Sequence, residues 1–487
     1  MKINKYLATF LAFYLILITG VSTIEAKNRK VTVYLTTSDR SNQLKQLKLK
    51  TKKVKEKDQS NTIKLVSDIK YQTMDGFGAA VTGSASYNLM KMSAINRKDF
   101  LEKTFSDQKG YGHSYVRVAI GCSDFSLSEY TCCDKQGIEN FSLTDEELTY
   151  VIPVLKEILT INPHVKIMAA PWTAPRWMKI KEIGSTEKHY SWTAGHVNPA
   201  YYQDYATYFV KWIQAFEKEG INIYAVTPQN EPLNPGNSAS TLMYWDEQRA
   251  FIKEALGPKF AQNNIQTKIY VFDHNYNYDD VASQNDYPLN IYKDDAADKF
   301  IAGAAYHNYN GDKDELNQIH KARVDKELVF TETSIGTWND GRNLEKRLIE
   351  DMEEVALGTV NNWCKGVIVW NLILDMERGP NREGGCQSCY GAVDIDQTNY
   401  SDMVMNSHYF IISHLSAVVK PGAVRIDSKN GNDLKGITSS AFINPDGSHA
   451  VVLSNSNYST KDIKIRVKGK KMIQFTCPAR SVVSFKW

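Results

Sequence analysis

Residues 225–232 read Ala225-Val226-Thr227-Pro228-Gln229-Asn230-Glu231-Pro232. A short apolar run of strand type breaks at Pro228, which has no amide hydrogen to give to a sheet ladder. A polar pair and one carboxylate follow, and then a second proline. The segment Leu328-Val329-Phe330-Thr331-Glu332-Thr333 repeats the pattern, an apolar strand closed by a glutamate. Taken singly, a glutamate after a strand is most often a helix cap or a solvated loop charge. Two that each close a strand fit a barrel of alternating strands and helices, where the positions just past the strand C-termini share one face.

Working outward, the regular part begins at Met74-Asp75-Gly76-Phe77-Gly78-Ala79-Ala80, whose glycines lack the GxGxxG phosphate pattern. Strands are expected at Tyr115 to Ile120, Val165 to Ala170, Ile221 to Val226, Lys268 to Phe272, Ala302 to Tyr306, Glu327 to Phe330 and Gly366 to Trp370. Helical patterns lie between them. Thr144-x-x-Glu147 reads as a capping box opening a helix with Leu148, Val151, Ile152, Leu155, Ile158 and Leu159 on one face, bent at Pro153. A second helix from Pro199 carries Tyr205, Tyr208, Phe209, Trp212, Ile213 and Phe216, and stops at Gly220. Counted from Gly76, eight strand candidates predict an α/β chain with a (β/α)8 TIM barrel over residues 74–415.

Beyond Pro421-Gly422 the pattern changes to short alternating runs separated by turns such as Asn444-Pro445-Asp446-Gly447. Residues 416–487 therefore read as an all-β sandwich, to which strands within residues 27–73 are expected to contribute. The lysine-rich stretch from Thr36 to Thr62 reads as a surface linker or long hairpin.

The 487 residues are 42% hydrophobic, which excludes wholesale disorder, and the net charge of +3 gives no long-range pull toward nucleic acid. Lys2 and Lys5 before the apolar run Leu7 to Thr19, with small residues at Ser22 and Ala26, read as a signal peptide over residues 1–26. The expectation is an exported protein with no membrane span after signal removal. The 7 cysteines leave at least one unpaired; Cys132-Cys133 and Cys386-x-x-Cys389 read as loop staples or free thiols, and lack the spacing of a zinc site. No metal or cofactor is expected.

The chemistry follows from what closes each strand. Arg117 lies on the second candidate strand and Asp124 just after it, Trp172 follows the third, and Asn230 and Glu231 follow the fourth. Asp273 and His274 follow the fifth, His307 and Tyr309 the sixth, Glu332 the seventh, and Trp370 with Asn371 the eighth. Each has a bland reading alone: a salt-bridge arginine, a core tryptophan, a satisfied histidine. Together on one barrel face they offer what glycoside hydrolysis needs, a carboxylic acid and a carboxylate flanking one bond.

At these residues the chain resembles glycoside hydrolase family 30, the family of lysosomal glucosylceramidase and microbial β-1,6-glucanases. The resemblance runs from about Asp75 to Trp487. It is carried by Arg117-Val118, Cys122-Ser123-Asp124-Phe125-Ser126, Pro171-Trp172-Thr173, Ala225-Val226-Thr227-x-x-Asn230-Glu231-Pro232, His307-x-Tyr309, Glu332 and Trp370-Asn371-Leu372. It implies a barrel fused to a β-sandwich, and hydrolysis with retention. On this resemblance Glu231 is the general acid/base, with a raised pKa, and Glu332 the nucleophile. Carboxyl groups about 5–5.5 Å apart are then expected. Arg117 and Tyr309 would support Glu332, Asn230 would meet the sugar 2-hydroxyl, and Asp124, Trp172, His307 and Trp370 would line the glucose subsite.

The loop Leu233 to Ala239 is shorter than in the lysosomal enzyme, and Gly379 to Cys386 resembles microbial members. Those loops argue against carrying over ceramide specificity, and the family resemblance makes β-1,6-glucan the expected substrate, with glucosylceramide or a short β-glucoside as the alternative. A β-xyloside or β-fucoside hydrolase, and a non-catalytic β-glucan-binding protein on the same scaffold, are the remaining readings.

Overall fold

The computed structural model describes residues 30–53, 60–276, 281–431, 433–466 and 471–487. The expected signal peptide lies outside them. Eight parallel strands close into a barrel: β1 (Gly76–Ala80), β2 (Tyr115–Ala119), β3 (Lys166–Ala170), β4 (Ala225–Val226), β5 (Lys268–Asn275), β6 (Ile301–His307), β7 (Glu327–Glu332) and β8 (Cys364–Val369). All eight expected strands are present. The fourth is shorter than its apolar run implied: Ala225 and Val226 carry the paired register, and Tyr224 bonds Ile167 and Lys268 only at its edge.

The helices follow their sequence patterns with one adjustment. Thr144 does meet Glu147, whose carboxylate accepts from the Thr144 backbone N–H at 2.9 Å. A π-helical turn over Glu147–Val151 then precedes the α-helix Ile152–Ile161, so the apolar stripe slips and Leu148 is half exposed. Helix Tyr202–Lys218 buries Tyr205, Tyr208, Phe209, Trp212, Ile213 and Phe216 as its periodicity requires.

Inside the barrel, Tyr115, Met168, Ala225, Tyr270, Ala305, Val329 and Ile368 form one packed cluster. Side chains alternate in a strand, so the inward position two residues on is one layer higher, toward the C-terminal face. That rule lifts Arg117, Thr227, His307, Thr331 and Trp370 above the apolar plug. The apolar plug thus sits mid-barrel, with the Lys166–Asp75 and Lys268–Glu327 pairs at 2.6 and 2.7 Å on its N-terminal side and the polar upper layer on the other.

The sandwich is a single ten-stranded sheet folded over itself, and it draws on both chain ends. Lys30–Thr37 pairs with the C-terminal strand Ser481–Lys486, and Thr62–Thr73 lies between Val424–Asn430 and Lys461–Arg466. The lysine-rich stretch begins as a hairpin, Lys30–Thr37 against Lys45–Lys50. Among the described residues, no helix is long and apolar enough to cross a membrane.

Candidate active site

Two β-bulges shape the upper layer. On β5, Val271 and Phe272 both pack outward, and the register shifts between Phe272 and His274. Phe272 and Asp273 adopt φ of 72° and 69° there, so Asp273 turns into the barrel where plain alternation would have turned it out. On β6, a shift between Tyr306 and His307 sets His307 opposite Glu332 rather than Thr331. Glu231 itself sits at φ 44°, at the tip of the β4 loop. Such backbone costs about 1–3 kcal/mol per residue and is typically held at functional sites.

Glu231 and Glu332 both open into one cavity of about 520 Å³, lined also by Asp124, Asn234, Asn237, His274, Tyr309, Trp338, Trp370 and the Cys386–Cys389 disulfide. Their surroundings differ. Glu332 is paired with the Arg117 guanidinium and accepts from the Tyr309 hydroxyl at 3.0 Å. The other face of Arg117 bonds Asp273 at 2.7 Å and Asn230 Oδ1 at 2.8 Å. Glu231 accepts from His307 Nδ1 at 3.2 Å and from the amides of Asn234 and Asn237 at 2.8 Å each. His307 Nε2 donates to Asp273 at 3.0 Å, and Asp273 also accepts from Thr227 and Thr331, each at 2.6 Å. Asp273 is the hub that ties both glutamates' partners together. It is fully buried, and its carboxyl lies well below the usual carboxylate range: burial opposes this, but Arg117 and His307 outweigh it.

Protonation in this site reverses the expectation of a raised Glu231. Burial pushes Glu231 up, but the His307 hydrogen bond, the His274 and His307 charges and the Asn234 amide bring it down to about 2. Glu332 lies above an ordinary glutamate. Burial lifts it, the His307 and Arg117 charges oppose, and the Glu231 and Asp273 charges add to the rise. His307, despite burial, is raised to about 9 by the carboxylates around it, so the unliganded site keeps its proton on His307. Asp124 is raised to about 8, by burial and then by the charges of Glu332 and Glu231, and can donate as well as accept at neutral pH.

Trp172 stacks on Trp370 with centroids 4.9 Å apart, and the Arg117 guanidinium caps both rings. Among the described residues, the buried atoms Asp124 Oδ1, Asn230 Nδ2, Trp370 Nε1 and Arg117 Nε are some of those here that have no hydrogen-bond partner. Buried polar atoms are ordinarily bonded, so a cluster of open ones marks where a hydroxyl-rich ligand is met. All nine residues singled out from sequence, namely Arg117, Asp124, Trp172, Asn230, Glu231, His307, Tyr309, Glu332 and Trp370, fall in this one assembly.

Sequence reasoning placed Asp273 at a strand end without giving it work, because its inward turn depends on the bulge. It noted the Leu233 to Ala239 loop for substrate choice without giving Asn234 or Asn237 a role, and it missed Trp338. Trp338 sits on a short 3₁₀ turn after β7, 52% exposed, on the cavity wall. The cysteine pairing is also settled: Cys386 and Cys389 are joined, whereas Cys122, Cys132, Cys133, Cys364 and Cys477 are free and buried. Beside the disulfide, Arg382 bonds the carbonyls of Ser123 at 2.8 Å and Ser238 at 2.6 Å, lacing the loops after β2, β4 and β8 together.

Comparison with known proteins gives concordant results. Residues 74–419 match the glycosyl hydrolase family 30 TIM-barrel domain, and residues 422–485 match that family's β-sandwich domain. The chain is 30% identical to endo-1,6-β-D-glucanase neg1 of Aspergillus fumigatus, over 85% of each chain. It is 30% identical to putative glucosylceramidase 4 of Caenorhabditis elegans, over 80% of this chain and 75% of that one. Among solved structures, the endo-β1,6-glucanase BT3312 superposes with a TM-score of 0.91 and 59% identity, over 94% of this chain and 99% of the other.

Proposed function

The chain belongs to glycosyl hydrolase family 30 and is a glycoside hydrolase, and on that premise we propose that it cleaves β-1,6-glucan internally, with retention of anomeric configuration, using Glu332 as nucleophile and Glu231 as acid/base. The observation that carries the roles is the unequal setting of two glutamates in one cavity. Glu332 is gripped by Arg117 and Tyr309, and Glu231 faces a proton-bearing His307. The linkage rests on the 59% identity with an endo-β1,6-glucanase across 94% of the chain.

In the first step Glu332 attacks the anomeric carbon. Arg117 and the Tyr309 hydroxyl fix its oxygens, so one lone pair points at the sugar; desolvation of that hydroxyl and the charges of Glu332 and Glu231 keep the phenol of Tyr309 protonated and donating. The leaving oxygen takes a proton from Glu231, which is recharged from His307 Nδ1 at 3.2 Å. Substrate that turns the Asn234 and Asn237 amides away from Glu231 would remove two stabilisers of its ionised form and favour that transfer. Esterification of Glu332 then cancels a neighbouring negative charge, which favours ionised Glu231, now the base that activates water. Asn230 Nδ2 suits the 2-hydroxyl, and Asp124 and Trp370 Nε1 the outer hydroxyls.

Product analysis on β-1,6-glucan beside laminarin and glucosylceramide tests this reading. Oligosaccharides from β-1,6-glucan alone are the expected result. Faster turnover of glucosylceramide would instead favour the specificity named for the worm relative, and no reducing sugar from any β-glucan or aryl β-glucoside would leave only a binding protein. Export belongs to the same proposal: Lys2, Lys5 and the apolar run after them, together with a disulfide at the cavity rim, suit an oxidising compartment. The N-terminal sequence of the mature protein tests that part.

A further inference from the structure

We propose that Glu231, His274 and His307 together form a binding site for a divalent transition metal of the Zn²⁺ class, and that filling it switches the hydrolase off by taking the acid/base carboxylate. The three residues close adjacent strands β4, β5 and β6, and their ligand-type atoms all lie within 4.8 Å of one another, each side chain buried. His307 Nδ1 is 3.2 Å from Glu231 Oε1. Two ligands on a tetrahedral zinc stand about 3.3 Å apart, from bond lengths of about 2.0–2.1 Å. That pair therefore needs no rearrangement. His274 Nδ1 is 4.0 Å from the same oxygen and would move in to complete the set.

Two imidazoles and one carboxylate form the donor set of several zinc sites that keep an open fourth position. Here that position would face the cavity, which Glu231 and His274 both line. The support behind the ligands is also present: His307 gives its far nitrogen to Asp273 at 3.0 Å, the carboxylate–histidine pairing that orients a metal-bound imidazole. Imidazole donors favour Zn²⁺, Co²⁺ and Cu²⁺ over Mg²⁺ and Ca²⁺, which prefer oxygen. On binding, His307 Nδ1 would exchange its hydrogen bond to Glu231 for the metal.

The experiment is titration calorimetry of the intact chain with Zn²⁺ in chelator-treated buffer, with Co²⁺ absorption as a second readout and Mg²⁺ as control. One Zn²⁺ per chain, visible Co²⁺ bands, and affinity at least tenfold weaker in His274→Gln and in Glu231→Gln are expected. Glucan hydrolysis should fall in parallel with occupancy and return on adding EDTA. No stoichiometric binding, or binding unchanged in both variants with native thermal melts, overturns the site; binding without loss of hydrolysis overturns the switch. Because binding is read without turnover, its failure is separable from failure of the glucanase reading: an active glucanase indifferent to Zn²⁺ refutes only the metal site.

Discussion

Asp273 accepts the Nε2 hydrogen of His307 at 3.0 Å, and that bond turns Nδ1 toward Glu231. A buried aspartate thus determines which carboxylate the other nitrogen of His307 faces.

The pH dependence follows. His307 is raised to about 9, so its charged form, and the stability that form contributes, is complete below the unfolded value of about 6.5 and is lost as pH rises through 9. Glu231, lowered to about 2, contributes above its ordinary range and loses that contribution only as pH falls toward 2. The alkaline limb of kcat/KM on β-1,6-glucan should sit near 9. In Asp273→Asn it should move down by at least one unit, with kcat/KM reduced about 100-fold. An alkaline limb that stays in place in Asp273→Asn would show that the proton comes from elsewhere.

The two glutamates should separate by leaving group. Glu231→Ala should lose about 10²–10⁴-fold on glucan, keep most activity on aryl β-glucosides with good leaving groups, and be rescued by azide. Glu332→Gln should be folded, bind glucan and hydrolyse neither substrate. The reverse pattern would exchange the roles. Proton NMR of the first product should show the β-anomer.

Trp338 presents an exposed ring on the cavity wall, and the prediction is that it covers the sugar beyond the cleaved bond. Losing about 1.4 kcal/mol of stacking is tenfold in affinity. Trp338→Ala should raise KM for glucan about tenfold while aryl β-glucoside kinetics change less than about threefold. Equal effects on both substrates would place the ring against the glycone instead.

Gly385 tests the laced rim. A Cβ there would lie 2.3 Å from the Asp124 carbonyl oxygen, so Gly385→Ala must displace either the disulfide loop or Asp124. Activity should fall at least about tenfold, with a lower melting temperature and unchanged secondary structure, in line with the about 1–3 kcal/mol typical of overpacking. Wild-type kinetics in this variant would mean that the rim yields without moving Asp124.

The amino-acid sequence by itself determined the alternation of eight strands with helices, the sandwich after Pro421-Gly422, and the placing of Glu231 and Glu332 at two strand ends. These are written in local periodicity and in residue types that stand beside one another in the chain. What only the tertiary structure decided is non-local. The positive-φ bulge at Phe272 and Asp273 turned a strand-end aspartate into the hub, and the fold of the rim paired Cys386 with Cys389 and brought Trp338 to the cavity wall. Where the proton rests was also beyond the sequence, since it depends on Arg117, Asp273, His307, Glu231 and Glu332, which come from five different strands or the loops after them. Periodicity reports which way a side chain faces in an ideal strand; a bulge breaks that rule, and a buried charge answers to distances through space.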